Sequence, residues 1–388
     1  MPSCHPPTKL PNFVLLSLQV STLSPEHLKS VLHLAARAPG GDNTQPWTFS
    51  WNGNVLTILF DPARARHVLD AGLSAAKISL GCLLESIKIA ATQYGFSIEF
   101  KYTGLSEEQK QQQKQPAGEV TFISDISDNS LPDPLADALP KRTTDRRPFS
   151  KGPLPVREIT EISEAFQPNG LAQVHCQSSI SPELLDYILA AESLVTRHPS
   201  IFLQTLEWIR LSRREIERTL DGMPWRGTGV RTIDYPALQF IRHFPGTFPL
   251  LARTAMTKVH LGTMKRLIES SAGLLCFSIP HQQPLALIEA GKLAMRVWLR
   301  LTQLGYGVQP LTLSSLSVFN AKIGVLDRDS IRLFGARYAE GEKLLRRSFG
   351  ISSFNTPAWM LRTGISTPLP ASWLTPRKNL DDLLLVTP

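Results

Sequence analysis

Cysteine is scarce in this chain and poorly placed for chemistry. Cys4, Cys82, Cys176 and Cys276 are the only four in 388 residues, and no two form a CxxC pair. A disulfide framework and a cysteine-rich zinc site are therefore excluded. The nine histidines are scattered, HExxH is absent, and His27 and His33 lie six apart, so no resident metal is expected. There is no GxxxxGK[ST] loop for a nucleotide triphosphate and no GxSxG elbow for a serine nucleophile. The stretch GYGVQP lacks the last glycine of a dinucleotide fingerprint and follows a helical pattern where a strand is required. Long apolar runs are missing too, so nothing reads as a membrane span. LPNFVLLSLQV, near the start, has neither the basic lead-in nor the small-residue cleavage site of a signal peptide. The expectation is a cytoplasmic protein with no membrane partner.

What is present is an ordinary globular composition, 42% hydrophobic and 19% charged, in a chain long enough for two domains or two similar halves. A net charge of +8 favours anionic partners. Nucleic acid is not the expected one: the basic stretch IRLSRREIER is interrupted by Glu215 and Glu217, and no nucleic-acid motif accompanies it.

Periodicity sketches an α+β layered fold. A helix is expected after Ser24, with Pro25 in its first turn and Leu28, Val31, Leu32 and Ala35 as its apolar stripe. A strand at 54–60, a long helix within 70–95 and a strand at 96–102 follow. The Gln-rich run 106–119 reads as an exposed linker. Helices are expected from about 155, over 182–198 and over 202–220, and the uneven, aromatic stretch 232–257 suits a lid or arm within about 185–260. Strand patterns at 271–279 and 358–364 enclose helices at 284–307 and 339–349. The two long helices each lead into a glycine and an extended segment. This predicts two related halves, 1–120 and 121–388, forming an internal pseudo-dimer; an external homodimer is left open.

Three short segments carry chemistry. KRTTDRRPF places Arg142 and Arg146 four apart, so that one helical turn would aim both guanidinium groups one way, with Thr144 between them. Such a set suits a phosphate, and a solvated basic turn is the plainer alternative. TPRK near the carboxyl end would join it if the tail folds back. GGDNTQPW offers backbone donors at Gly40 and Gly41, amides at Asn43 and Gln45, and a rigid Pro46–Trp47 edge. That mixture fits a planar heteroaromatic ring, or equally a helix-terminating turn with a core tryptophan.

AARAPGGDNTQPWTF resembles the PS-x-x-N-x-QPW segment of the nitroreductase-like flavoproteins, with Gly40 where serine is common. KRTTDRRPFSKGPLPVREITEI is similar to that family's R-x-[ST]-x-[RK] motif and following helix, EAGKLAMRVWLRLTQLGYGVQPLT to its late helix, and AWMLRTG with TPRK to its closing strand and basic tail. The long, two-half branch is the best match. The resemblance implies FMN in a mixed sheet flanked by helices, held at the seam between halves. It assigns Arg142, Thr144 and Arg146 to the ribityl-phosphate end, joined by Arg377 and Lys378. Asn43 and the backbone of Gly40 and Gly41 would approach the isoalloxazine, and backbone at Gln309, Pro310 and Leu311 the reactive middle ring. Lys141 and Arg147 do not match contacting positions. The first half has no second basic motif before its first helix, so one flavin per chain is expected. The activity implied is oxidoreduction from NADH or NADPH to an electron-poor organic acceptor such as a quinone or nitro compound, with no protein catalytic side chain. A flavin-binding or flavin-sequestering protein with little turnover is the alternative, because the long middle segment would cover the cofactor.

Overall fold

A computed structural model describes residues 22–65, 67–70, 72–105, 114–124, 131–166, 170–252, 256–283 and 285–386. Its first helix, α1 (Pro25–Ala35), starts where Ser24 accepts the His27 backbone N–H at 3.2 Å, and it buries the expected stripe. The chain then forms β1 (Trp47–Trp51), β2 (Val55–Phe60), the short α2 (Pro62–Ala65), the long α3 (Ser74–Thr92), β3 (Phe96–Tyr102) and β4 (Gln115–Ser124). β1 pairs β2, β2 pairs β4 and β4 pairs β3, all antiparallel.

The pattern then recurs. α4 (Val156–Phe166) and β5 (Gln173–Gln177) are followed, after an insertion, by β8 (Gly273–Ile279), α12 (Ala286–Gln303), β9 (Tyr306–Pro310) and β10 (Thr356–Ile365). The insertion contains α5 (Pro182–Glu192), α6 (Leu194–Arg197), α7 (Pro199–Glu207), β6 (Ile209–Arg210), α8 (Arg213–Thr219), β7 (Met223–Pro224), α9 (Tyr235–His243), α10 (Phe248–Leu251) and α11 (Thr257–Glu269). Between β9 and β10 lie α13 (Thr312–Lys322) and α14 (Arg328–Phe349), and the tail ends in α15 (Leu380–Leu383) and β11 (Leu384–Val386).

Strand order makes the relation between the halves explicit. The first sheet runs β11-β1-β2-β4-β3 and the second β5-β8-β10-β9, so β1-β2-β4-β3 maps onto β5-β8-β10-β9 with every pairing antiparallel. α3 joins β2 to β3 as α12 joins β8 to β9, and α1 packs on α3 as α4 packs on α12. The central helices cross at paired glycines. A Cβ on Gly81 would lie 2.0 Å from the Ile288 carbonyl oxygen, and one on Gly291 would lie 2.0 Å from that of Ile78. Each glycine thus meets the carbonyl three residues before the other, which is what a two-fold relation requires. Gly95 and Gly305, both at positive φ, end the two helices at matching places. One apolar core runs through this seam, from Leu32, Phe49 and Leu83 on one side to Leu293, Trp298 and Leu361 on the other. β11 lies parallel to β1 and stitches the tail onto the first half.

Several sequence expectations are corrected. The exposed linker over 106–119 is shorter, because Gln115–Glu119 belongs to β4, with Gln115 and Ala117 buried; 106–113 lie outside the described residues. The 120/121 division falls inside that strand. The helix over 202–220 is two helices, since Ser212 and Glu215 form a reciprocal capping box that starts α8 afresh. The helix expected over 339–349 is α14, which begins at Arg328, where Asp327 caps it. α13 was not foreseen: Leu313 to Asn320 are all buried, so it has no polar face to mark a period. Arg142–Arg146 is no helical turn, because Thr144 forms a parallel bridge with Val308 of β9. No helix among the described residues is long and apolar enough to cross a membrane.

Candidate functional site

Between the halves lies a cavity of about 280 Å³. The loop after α1 and the first turns of α3 form one wall; Arg142–Arg146, Pro310, the start of α13 and Trp359 form the opposite one. Thr375 and Arg377 of the tail close one end, and Ile201, Thr205, Trp208 and Met223 of the insertion roof the other.

The tail end is strongly cationic and incompletely paired. Arg142 is 2% exposed, its guanidinium stacks 4.6 Å from the Trp298 ring, and its Nη2 donates to the Arg37 carbonyl at 2.8 Å. Arg377 Nη2 donates to the same carbonyl at 3.1 Å. The remaining buried N–H groups, Arg142 Nε and Nη1 and Arg377 Nε, have no acceptor among the described residues, and neither has Arg37 Nε. Burial pulls Arg142 down to about 10. Burial first, then the neighbouring Arg142 and Arg37 charges, holds Arg377 well below its ordinary value. Buried like charges with unspent donors are costly unless an anion completes them. The donor set fits a phosphate group, with Thr144 and Thr375 also lining this end.

The loop Gly40–Trp47 owes its shape to strain. Asp42, Asn43 and Gln45 all take left-handed φ values, between 47° and 55°, a cost of order 1 kcal/mol or more each that surrounding contacts must offset. Those contacts are visible. Asn43 Nδ2 donates to the carbonyls of Gly222 at 2.9 Å and Pro376 at 3.0 Å, and its Oδ1 accepts from Arg377 Nη1 at 2.7 Å. Gln45 Nε2 donates to the Leu220 carbonyl at 2.9 Å while its Oε1 accepts the Lys378 N–H at 3.0 Å. Two amides therefore clasp the loop, the 220–222 turn and the basic tail together. Arg64 tightens the clasp: it donates to the Thr44 carbonyl at 2.8 Å and pairs with Asp221 at 2.5 Å. Arg210 takes the other Asp221 oxygen at 2.5 Å, and both guanidinium groups lie against Trp208. Burial raises Asp221, but the hydrogen bonds from Arg210 and Arg64 outweigh it and hold the carboxyl below its usual range.

The roofed end has different electrostatics. Among the described residues Arg146 donates to the Gly227 carbonyl and the Met223 sulfur, both at 3.3 Å. Burial holds it below its ordinary value, against the raising effect of Asp42 and Asp145. Asp42 and His67 line this end beside it. His67 Nδ1 accepts the Leu69 N–H at 3.2 Å, and burial holds the ring below its ordinary value. Asp70 is spent on α3, taking the N–H groups of Ala75 and Ala76 at 2.8 and 3.2 Å; burial nonetheless raises it to about 7.

No protein-family model matches the chain. It is 26% identical over 175 residues to two Mycobacterium tuberculosis proteins, from strains CDC 1551 and H37Rv, provisionally named NAD(P)H nitroreductases. The match covers 44% of this chain and 49% of each relative, so the chain spans about half the length of the curated relatives it matches. Among solved structures it resembles an FMN-bound nitroreductase from Desulfitobacterium hafniense, at 13% identity and TM-score 0.34, over 65% of this chain and 97% of that one. It also resembles an FMN-dependent nitroreductase from Mycobacterium smegmatis in complex with NADPH, at 15% identity and TM-score 0.34, over 64% and 96%.

Of the site residues read from the sequence, Gly40, Gly41, Asn43, Arg142, Thr144, Arg146, Pro310 and Arg377 line this cavity. Gln309, Leu311 and Lys378 stand behind it. Gln309 Oε1 accepts from the buried Arg362 at 2.7 Å, and the Leu311 N–H is bonded to the Met360 carbonyl. Lys378 contributes its backbone N–H to the clasp. Asn43 is in place, but its amide is engaged by protein groups on both sides. Arg64, His67, Trp208, Asp221 and Met223 were missed, because nothing local marks residues that meet only when the insertion folds over the first half.

Proposed function

We propose that this chain holds one FMN between its halves and passes electrons from a reduced nicotinamide to a small electron-poor organic acceptor, such as a quinone or nitro compound. The observation carrying this reading is the pair of buried arginines, Arg142 and Arg377, whose unspent N–H groups face a cavity walled by both halves. Arg142, Thr144 and Arg377 would hold the phosphate, with Arg37 behind them adding positive charge. Gly40 and Gly41 would lie along the ring on one wall and Pro310 on the other. Asn43 and Gln45 act indirectly: by fixing the tail they fix Arg377. The cofactor supplies hydride and single-electron transfer when bound; the chain binds it, orients it and limits water around it. The first half, through β4, provides the loop wall and the second provides the arginines. Use of a reduced nicotinamide goes with a cytoplasmic location.

One observation favours a second reading, a flavin-holding protein with little turnover. The 220–223 turn, whose Met223 lines the cavity, is clasped to the loop by Asn43, Gln45 and Arg64, and a turn held there would restrict entry of anything as large as a nicotinamide dinucleotide. One experiment separates the two. The purified protein should release about one equivalent of FMN per chain on heating, and anaerobic mixing with NADH or NADPH should bleach the bound flavin. Retained flavin that neither donor reduces selects the second reading. A folded preparation that cannot be reconstituted with FMN overturns both.

A further inference from the structure

Asp42 is a carboxyl group that the clasp does not use. Its neighbours Asn43 and Gln45 are hydrogen-bonded into the surrounding chain, and Asp70 caps α3. Asp42 itself lines the cavity, and its carboxylate has no hydrogen-bond partner among the described residues. The backbone sets this orientation, since Asp42 sits at φ 48° in the turn that follows Gly40 and Gly41. The charged and titratable groups facing it are Arg146 from the opposite wall and His67 from the segment before α3. The Gly222 N–H donates to the Asn43 carbonyl at 3.1 Å, which sets the loop bearing Asp42 against the turn of the roof. Ile201, Trp208 and Leu313 add apolar and aromatic lining to the same cavity.

We propose that Asp42 selects the substrate. Its carboxylate receives the positive charge or the N–H or O–H group of a planar organic molecule entering under the roof, and it turns away molecules that carry a carboxylate of their own. This rests on the reading of the cavity as a redox site and adds to it a substrate class: electron-poor aromatics that are cationic or donate hydrogen bonds. An unpaired carboxylate in a confined site is stabilised by such a partner and repelled by a like charge. Burial raises the Asp42 carboxyl while His67 and Arg146 lower it. Its charge, and the selectivity, is therefore lost on acidification, as the raised carboxyl takes up a proton sooner than an exposed aspartate would.

The test compares two nitroaromatics of one size and opposite charge, 4-nitrobenzylamine as its ammonium form and 4-nitrobenzoate, binding to the full-length protein by titration calorimetry. The ammonium compound should bind about tenfold tighter at neutral pH, the scale of a hydrogen bond to a charged group. Asp42→Asn should reduce the preference to less than about twofold while leaving FMN content unchanged. Asparagine is chosen because it tolerates the left-handed backbone at this position, and Asp42→Gly, equally free at positive φ, is the second variant should the first fold poorly. Equal binding of the two compounds, binding of neither, or a preference that survives both substitutions overturns the proposal. Flavin content is measured separately: a protein without FMN sinks the redox reading, whereas the change in preference from wild type to Asp42→Asn, which leaves the cationic end the same, decides the role of Asp42 in either case.

Discussion

Arg142 illustrates what a single residue costs the fold and gives the site. It is buried against Trp298 beside two other guanidinium groups, with two of its N–H groups unspent. Replacing it by Met should weaken FMN retention about tenfold to a hundredfold, the loss of one charge-assisted contact, read by equilibrium dialysis. The same burial sets a pH signature in the flavin-free protein. Burial holds the folded-state value down at about 10, below the ordinary guanidinium range. The unfolded chain therefore binds the proton more tightly, and the penalty of burying the cation is present in full below about 10. It is relieved as pH rises from there, so flavin-free wild type should gain stability relative to Arg142→Met as pH rises past about 10. Phosphate bound beside the guanidinium favours its charged form and should flatten the difference. Denaturant melts of both proteins, with and without FMN, give the four curves needed. A wild-type protein whose difference from the variant stays constant with pH in the flavin-free state would show that Arg142 is not held as a buried cation.

At the scale of elements, the α3–α12 crossing decides how closely the halves approach. Backbone touches backbone at Gly81 and Gly291, and Cys82 Sγ reaches the Gly291 carbonyl at 3.2 Å. A methyl group at either glycine has no space, because the obstructing atom is a carbonyl oxygen in a helix and not the end of a mobile side chain. Gly291→Ala should destabilise the protein by about 1–3 kcal/mol or more and should loosen FMN, since both cavity walls hang from this crossing. Gly262→Ala, in α11 with nothing within 4 Å of the added Cβ, is the control and should be neutral or stabilising by up to about 1 kcal/mol. Chemical denaturation of the two variants tests the contrast; similar stabilities would mean that the helices separate at little cost.

For the molecule as a whole, the decisive feature is that both halves, the insertion and the tail of the chain all line one cavity. The first half gives the strained loop and the start of α3, the second half gives the arginines and Pro310, the insertion gives the roof, and the tail returns through β11 to bring Arg377. Cofactor binding should therefore not depend on association between chains. Flavin retention should stay constant on dilution through any dimer dissociation seen by analytical ultracentrifugation; loss of FMN in step with dissociation would place part of the site on a second chain. The roof has its own small core, with Phe202 stacked on Phe248 at 4.1 Å, and it leaves Ile233, Phe244 and Leu250 exposed at 79%, 57% and 70%. It is a folded unit resting on the site, fastened at the 220–223 turn.

Local order decided what the sequence alone determined. The Ser24 cap, the apolar stripe of α1, the long apolar helices that became α3 and α12, and the continuous apolar run of β8 are written in short windows, because caps and periodicity act over a few residues. The doubling of the fold and the basic motif were also legible, the latter as residue types suited to phosphate. Tertiary structure decided the rest. Arg142 and Arg146 looked like partners on one helical turn, yet Thr144 is drawn onto β9 and the two guanidinium groups find different partners, the Arg37 carbonyl for one and the Gly227 carbonyl and Met223 sulfur for the other. Asn43, nominated beside the ring, ties loop, turn and tail through its amide. α13, buried on all sides, had no polar face to announce it. Asp221, Trp208 and Arg64 carry no local signal, because their roles exist only after segments more than a hundred residues apart have met. Spacing along the chain can nominate a charge or an amide; only packing decides which donors are already satisfied and which remain free for a ligand.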